Sequence, residues 1–572
     1  MSYFNIDSIK ERTFDAIVIG SGISGGWSAK ELCEKGLKTL VLERGRDVRH
    51  VTDYPTTMKQ PWEFEHLGQL PKELKDANPI ASKCYAFHEA SEHFFTKDAE
   101  QPYVQEKPFD WIRGYHVGGK SLMWARGTQR WSQYDFEGPA RDGFAVEWPI
   151  TYKELAPWYS HVEKFAGISG NKDGLSQLPD GEFLKPHEQS CVEKHFSQKM
   201  AQHYKGARPV IIGRCAHLTD PQPIHFKQGR GQCQNRNLCE RGCPYGGYFS
   251  SNSSTLPWAA NTGNMTLRPD SVVHSIIYDE QKGKATGVRV IDAHTKEMTE
   301  YYAKIIFVNA STVASNMILL NSISSRFPQG LGNDNGLLGK YLAFHNFRTT
   351  ISGEYEGFLD STTAGIRPNG SYIPRFRNVF KQETDFLRGY AAGFSASRMT
   401  YHDRSGFGEE LKENLMQKKY GNWRVGSHMM GETIPKETNY VTLDKDLKDP
   451  YGIPQARISV AYDDNDEKMI KDFHEQLTEM YTIAGFTNIK THDKPDKAPG
   501  LDIHEMGGVR MGKDPRTSLL NKWNQLHTCQ NVFVTDGACM TSNSTQNPSL
   551  TFMAITARAA NYAVEQIRKG NL

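Results

Sequence analysis

The 572 residues outgrow a single hydrophobic core, so two domains, interleaved in sequence, are expected. Lys and Arg (68) nearly balance Asp and Glu (66), which leaves no basic field for nucleic acid or an anionic membrane surface and favours a neutral partner. There is no apolar run of 18 residues, so direct membrane insertion is not expected either.

The opening segment MSYFNIDSIKERTFD carries acids, no apolar signal core and no twin-arginine pair, so export on a signal of its own is not expected. Residues 14–20 (FDAIVIG) form a strand-type apolar run. GSGISGG follows at once, WSAKELCEKG has helical composition with Gly36 as its C-cap, and LKTLVLE returns as a second strand. That order opens a parallel sheet with right-handed crossovers. Gly20, Gly22 and Gly25 make G-x-G-x-x-G between strand and helix, where glycines permit a tight turn and let backbone N–H groups approach a pyrophosphate. Glu43, at the end of the second strand, is placed to accept hydrogen bonds from ribose hydroxyls. The unit serves NAD and FAD alike.

Residues 46–105 are rich in Pro, His and aromatics without a clear period and read as a long excursion over the cofactor, ordered by contacts alone. Further on, Cys233, Cys239 and Cys243 form a C-x5-C-x3-C run that ends in Pro244, while the other six cysteines (33, 84, 191, 215, 529, 539) are scattered, which argues against a disulfide framework. Zinc would need a fourth ligand from His225 or Cys215, neither at a finger spacing. Iron–sulfur centres take thiolates at short spacings, often with a terminal Cys-Pro, and three ligands suit a [3Fe-4S] cluster. A metal-free loop is the third possibility. Arg230, Arg236 and Arg241 around the run read as a solvated rim that partly offsets thiolate charge.

KIIFVNASTVASNMILL (304–320) is a buried strand running into a helix, and NVFVTDGACM (531–540) is a strand ending in Asp-Gly; both belong with the nucleotide unit. From about 345 to 495 the alternating segments RTTISGEY, YVTLDKD and ARISVAY predict a half-buried antiparallel sheet, and DNDEKMIKDFHEQLTEMYTIAG predicts a helix beside it. The breakers at 444–455 read as one surface hairpin connection.

RGYHVGGKSLMWARGTQRW (113–131), HEMGGVRMG (504–512), TDGACM (535–540) and QNPSLTFMA (546–554), together with the glycine fingerprint, resemble the glucose-methanol-choline oxidoreductase family over nearly the full length. The resemblance implies FAD and a fold of α/β plus α+β type. A discontinuous Rossmann-like FAD-binding domain (1–50, 105–135, 260–344, 500–572) would carry a substrate-binding cap on an antiparallel sheet (51–104, 136–259, 345–499), with the cysteine loop at 228–250. By the same resemblance Gly118, Gly119 and Ser121 lie along the flavin and pyrophosphate, Val273 meets the adenine side, and Asp536 and Gly537 close over the diphosphate and ribityl chain. Ser24, Arg44, Met123, Trp124, Ala310, Pro548 and Thr551 complete the expected cofactor set. Some relatives bind the flavin covalently through a histidine where this chain has Met123, so FAD is expected to be non-covalent.

Taking hydride from a carbinol also requires its hydroxyl proton to leave, so a base must stand within hydrogen-bond reach of the substrate oxygen, and imidazole suits that task. His504, heading H-x-x-G-x-x-R-M-G, holds the family position of that base, and Asn547 in N-P-x-L-T holds the position of its partner, a histidine in many relatives and asparagine in others. Asn547 can donate to an alkoxide but cannot take its proton, which leaves base duty to His504. Asn547 and Pro548 also read as the N-cap and first residue of a helix. His345 and His428 are left unassigned.

The cysteine run resembles that of the branch of bacterial sugar dehydrogenase catalytic subunits acting on glucose, fructose, gluconate or position 3 of glucosides. It implies oxidation of a sugar or glycoside hydroxyl, a secondary one being favoured, with hydride passing to flavin N5 and electrons leaving through a [3Fe-4S] cluster to a cytochrome or other external acceptor. Relatives of that branch are often exported with a small signal-carrying subunit, so a periplasmic location by co-export is expected, with a cytoplasmic one as the alternative. The rival functions are an alcohol or pyranose oxidase that uses oxygen and a flavoprotein that only transfers electrons.

Overall fold

The computed structural model describes residues 11–363, 369–494 and 496–572. Its first layer is an eight-stranded sheet begun by β1 (Thr13–Ile19), α1 (Ile23–Glu34) and β2 (Thr39–Leu42). Five strands run parallel in the order Met265–Arg268, β2, β1, Met298–Val308, Cys529–Val534, and β1 pairs Ala16 with Thr39 on one side and with Ile305 on the other. β1 and β2 are almost wholly apolar because helices and loops cover both faces of a parallel sheet. Ser271–Asp279 and Lys284–Asp292 extend the Met298–Val308 edge as antiparallel strands.

α1 is buried nearly all round, including Lys30 and Glu31. Glu31 accepts from Lys30 (3.0 Å), Lys35 (2.8 Å), His161 (2.6 Å) and Asn561 (2.9 Å), which ties α1 to the helices Tyr152–Ala166 and Ser549–Arg568. Burial alone would raise this carboxyl; the histidine hydrogen bond and the two lysines more than reverse it. Removing one partner of such a buried set costs about 3–5 kcal/mol, because the remaining charge is stranded.

The second layer is a seven-stranded antiparallel sheet in the order Thr487–Asp493, Thr349–Tyr355, Lys418–Glu432, Tyr390–His402, Ser371–Ile373, Ile211–Ile212, with His345–Asn346 also on Lys418–Glu432. The predicted helix is Asp464–Ile483. It starts in an Asp463/Asp466 capping box and lays Met469, Ile470, Phe473, Leu477 and Met480 on the sheet at helical spacing.

YVTLDKD and ARISVAY do not join that sheet. As Tyr440–Lys448 and Pro454–Ser459 they pair with each other and with Lys340–Ala343, Met506–Gly508 and Val104–Gln105 in a third sheet. Alternation reports which face of a strand is buried, not which sheet receives it. The 46–105 excursion has a small core of its own, in which Val48, Tyr54, Phe87, Phe94 and Phe95 pack on Ile112, Leu122 and Met123. No helix among the described residues is long and apolar enough to cross a membrane.

Candidate active site

A cavity of about 650 Å³ runs from the β1–α1 turn to the face of the cap sheet. At the turn, Gly20 has φ +95° and a Cβ there would lie 2.3 Å from the Asn309 carbonyl oxygen, while a Cβ on Gly25 would lie 1.9 Å from the Gly20 carbonyl oxygen. These two glycines let helix, strand and loop close on one another. Gly22 differs, since a Cβ there would meet nothing within 4 Å. Its free face opens on the cavity, which is the cradle a pyrophosphate needs beside a helix N-terminus.

Glu43 accepts from the Ser21 N–H (3.2 Å), the Ser21 hydroxyl (2.5 Å) and the Gly45 N–H (3.0 Å), and burial pushes its pKa up. The Ser21 hydroxyl also accepts from the Gly118 N–H at 3.0 Å, so one carboxylate fastens both glycine loops. Across the cavity Asp536 accepts from the Ser315 hydroxyl (2.5 Å) and the Ala538 N–H (3.0 Å); burial pushes it up to about 6.

Gly20, Gly22, Ser24, Glu43, Arg44, Gly119, Ser121, Met123, Trp124, Val273, Ala310, Asp536, Gly537, His504 and Asn547 all line this one cavity. Gly25, Gly118, Pro548 and Thr551 do not. Gly25 and Gly118 lie behind the glycine loops, Pro548 is buried, and the Thr551 hydroxyl is bonded to the Tyr159 hydroxyl at 2.7 Å.

Arg44 reaches Gln101 (2.5 Å) and Asp449 (2.8 Å) and stacks between the rings of Tyr115 and Tyr451. The 444–455 connection is therefore more than a surface hairpin. Its tip folds back on the dinucleotide end, and Asp449 and Ile453 line the cavity.

At the other end His504 follows Ile503, a β-branched residue held at φ +61°, a backbone strain of the kind that collects at working sites. His504 Nδ1 lies 3.1 Å from His345 Nδ1, and His345 Nε2 lies 2.6 Å from the Ser544 carbonyl oxygen. A carbonyl only accepts, so His345 carries its proton on Nε2 and its Nδ1 lone pair takes the Nδ1–H of His504. His504 Nε2 thereby keeps its lone pair, which accepts a long 3.5 Å hydrogen bond from the Asn547 amide N–H.

Burial, reinforced by His345, pushes His504 down to about 3, so it is neutral at physiological pH. Asp502 accepts the His345 backbone N–H at 2.9 Å and its carboxylate lies 3.6 Å from His345 Nδ1. Burial would raise Asp502; the adjoining His345 and His504 imidazoles and the hydrogen bond from the His345 backbone N–H hold it below its usual value. These three side chains also lie within single-ion distance of one another, and their hydrogen bonds account for that closeness.

Asn547 does not cap the helix behind it. Ser549–Arg568 begins after Pro548, no side chain caps it, and the Asn547 amide is free to face Gly127 and His504.

The cavity is also lined by Tyr372, Ser395 and His428 of the seven-stranded sheet and by Arg126 and Gln129. Arg126 Nε and Nη1 and Gln129 Oε1 are buried without a hydrogen-bond partner, and Arg126 is held at φ +63°. His345, His428, Arg126 and Gln129 carry no motif of their own; the RGYHVGGKSLMWARGTQRW segment contains the last two, and only the fold brings the histidines to it.

The cysteine run stands behind this wall. Arg126 Nη2 lies 3.5 Å from Glu240, and the same guanidinium acts on Cys239, whose thiol burial pushes up to about 11. Around one ion thiolate sulfurs approach to about 4 Å. No trio of cysteines converges that closely among the described residues, so the run does not form a preassembled zinc site. The Gly247 N–H donates to Cys243 Sγ at 3.3 Å, and a Cβ on Gly247 would lie 3.0 Å from Cys233 Cα. Arg230 is not part of a solvated rim. It is buried, donates to the Gly246 (2.9 Å) and Ala166 (2.8 Å) carbonyls, and burial pushes it down to about 9. Arg236 and Arg241 instead fasten the run to the excursion, at the Thr57 (2.5 Å) and Lys59 (3.1 Å) carbonyls.

A dinucleotide cradle joined to a neutral, aimed imidazole fits an alcohol-oxidising dinucleotide enzyme. Residues 14–346 and 435–556 match the family models for GMC oxidoreductase, and the chain belongs to that family. It is an FAD-dependent oxidoreductase acting on alcohol or sugar hydroxyls. It is 28% identical to 2-methyl-1,2-propanediol dehydrogenase of Mycolicibacterium austroafricanum, over 96% of this chain and 94% of the relative. To the fructose dehydrogenase large subunit of Gluconobacter japonicus it is 25% identical, over 97% and 98%. A formate oxidase structure from Aspergillus oryzae RIB40 superposes with a TM-score of 0.59 at 13% identity, covering 98% of this chain and 100% of that one, which is a likeness of fold.

Proposed function

We propose that the protein is a dehydrogenase of a sugar or glycoside, taking a secondary hydroxyl to a ketone, with non-covalent FAD and a [3Fe-4S] cluster on Cys233, Cys239 and Cys243. The observation that carries the substrate reading is that Arg126 Nε and Nη1 and Gln129 Oε1 lack hydrogen-bond partners in the wall of the cavity that His504 and Asn547 also line. Buried donors and acceptors without partners cost free energy until a ligand satisfies them, and a polyhydroxylated molecule offers both. The name of one relative, a fructose dehydrogenase large subunit, supports the sugar class, and that of another, a 2-methyl-1,2-propanediol dehydrogenase, supports only a substrate with more than one hydroxyl.

FAD, when bound along the glycine loops, supplies the hydride acceptor. His504 Nε2 takes the hydroxyl proton, the Asn547 amide holds the substrate oxygen, and His345 keeps His504 in the tautomer that can accept. Asp502 offsets the positive charge that the histidine pair gains.

For the cluster, Cys233, Cys239 and Cys243 would be the ligands, and it would supply one-electron exit toward an external acceptor. The Gly247 N–H bond to Cys243 Sγ supports that reading, since backbone N–H bonds to the cysteine sulfurs are among the features that tune iron–sulfur centres. The exposed Met58, Trp62 and Tyr245 beside the run offer an apolar face for a protein acceptor such as a cytochrome, and co-export with a small subunit to the periplasm belongs to the same proposal.

The test is an anaerobic screen of sugars and glycosides for flavin bleaching, with product regiochemistry by NMR, alongside iron and acid-released flavin on the same sample. About three irons per chain, FAD in the acid supernatant and a keto-sugar product are expected. Iron-free protein purified anaerobically would reject the cluster. Bleaching by simple alcohols and by no sugar would reject the substrate class.

A further inference from the structure

Two strands of the cap sheet outrun the sheet. Tyr390–His402 and Lys418–Glu432 stay paired as far as His402 and Lys418. Ser371–Ile373 flanks the first only at Ala392–Phe394, and Thr349–Tyr355 flanks the second only as far as Trp423. Beyond Arg398 and Trp423 they form a two-stranded ribbon whose outer edges have no partner strand among the described residues. Its tip carries the helix Glu409–Met416, in which no residue is buried.

Tyr401, Phe407, Leu415, Met416 and Tyr420 on this arm are exposed, Phe407 to 92% and Met416 to 85%. An eight-residue helix and an isolated two-stranded ribbon are each marginal alone in water. Unpaired strand edges and a contiguous apolar surface both invite a second chain.

The charges indicate which chain. The helix carries Glu409, Glu410 and Glu413 against one Lys412, while Lys418 starts the returning strand and Arg404 follows the end of the outgoing one; none of these six forms an ion pair among the described residues. The pair the arm does make, Lys419 with Asp403 at 2.7 Å, joins the ribbon to its own tip. An acidic helix and a basic stem on one element are complementary when two such arms meet across a two-fold axis, each helix lying on the other's stem. We infer that the arm, residues 396–422, is a dimerisation element whose occupant is a second copy of this chain. It leaves the cavity untouched, since none of residues 396–422 lines it.

Sedimentation of the full-length holoenzyme tests this. The wild type is expected at twice 64.7 kDa. The double variant Phe407→Asp, Met416→Asp is expected at monomer mass with its flavin spectrum unchanged. Two charge variants sharpen the test: Glu409, Glu410 and Glu413→Lys reverses the helix, and Arg404 and Lys418→Glu reverses the stem. Each alone should be monomeric, because like charges then face each other, and an equimolar mixture should recover the dimer. A monomeric wild type at micromolar concentration overturns the inference. So does a dimer that survives the Phe407 and Met416 changes, or a charge-variant mixture that stays monomeric.

Discussion

His345 Nδ1 accepts the Nδ1–H of His504 across 3.1 Å, and the direction of that bond is set on the far side of the ring, where His345 Nε2 donates to the Ser544 carbonyl at 2.6 Å. One backbone carbonyl thereby decides, through two imidazoles, which nitrogen of His504 keeps its lone pair. The arrangement performs the tautomer control that a carboxylate performs in a hydrolytic triad, with Asp502 held one ring further back.

Replacing His345 by Ala frees His504 to carry its proton on either nitrogen and removes the bond that strengthens as His504 becomes charged. A hydrogen bond to a charged group is worth about 1.5–3 kcal/mol, so kcat should fall roughly 10- to 150-fold with KM little changed. His345→Gln, whose amide oxygen can still accept, should recover part of the loss. A packing role alone would give equal losses for both variants and a lower Tm.

His504→Ala removes the base itself and should cost about 10²–10⁴-fold in the rate of flavin bleaching while bound FAD stays at the wild-type level. Asn547→Ala should cost less in rate and nothing in helix stability, because its side chain caps no helix end. Rapid-mixing absorbance and a thermal melt check both, and a wild-type bleaching rate in the His504 variant would remove it from the mechanism.

The acid limb of kcat/KM should lie well below the ordinary histidine value of 6.5, because His504 is held near 3 by burial and by His345. A group whose folded pKa is depressed keeps its unprotonated form as pH falls through its ordinary value, so activity should stay level from about pH 8 down to about pH 5. The same depression lets the unfolded chain bind the extra proton first, so its share of stability is fully present above 6.5 and drains away as pH falls toward 3. Asp502 raises the proton affinity of His504, so Asp502→Asn should move the limb lower still and slow turnover. An inflection near 6.5 that vanishes in His504→Ala would contradict the buried, neutral assignment.

The legible parts of this site were those where one local segment has to satisfy one chemical demand. The glycine turn, Glu43 after β2 and the His504 and Asn547 segments each carry their signal in consecutive residues, and the fold gathers them round one cavity. His345 gave no such signal, because its meaning depends on Ser544 and His504, 199 and 159 residues away. The 444–455 breakers were readable as a turn, but Arg44 stacking on Tyr451 is a long-range contact that turn chemistry does not encode. Arg230 misled for a related reason. Arginine is seldom buried unless paired, and here two backbone carbonyls, from residues 166 and 246, do the pairing.

Gly22 and Gly25 should separate cofactor binding from folding, although they belong to one fingerprint. A side chain on Gly22 enters open space on the cavity side, so Gly22→Val should leave the apoprotein's Tm near the wild-type value and sharply reduce retained FAD, because the branched side chain fills the pyrophosphate cradle. A methyl on Gly25 would instead press to 1.9 Å of the Gly20 carbonyl oxygen and force α1 away from β1. Overpacking of that kind costs about 1–3 kcal/mol, so Gly25→Ala should lower the Tm of apoprotein and holoenzyme alike. Flavin content by absorbance and melting of stripped and loaded protein distinguish the two. If Gly22→Val keeps full FAD, the open face of that turn is not where the dinucleotide lies.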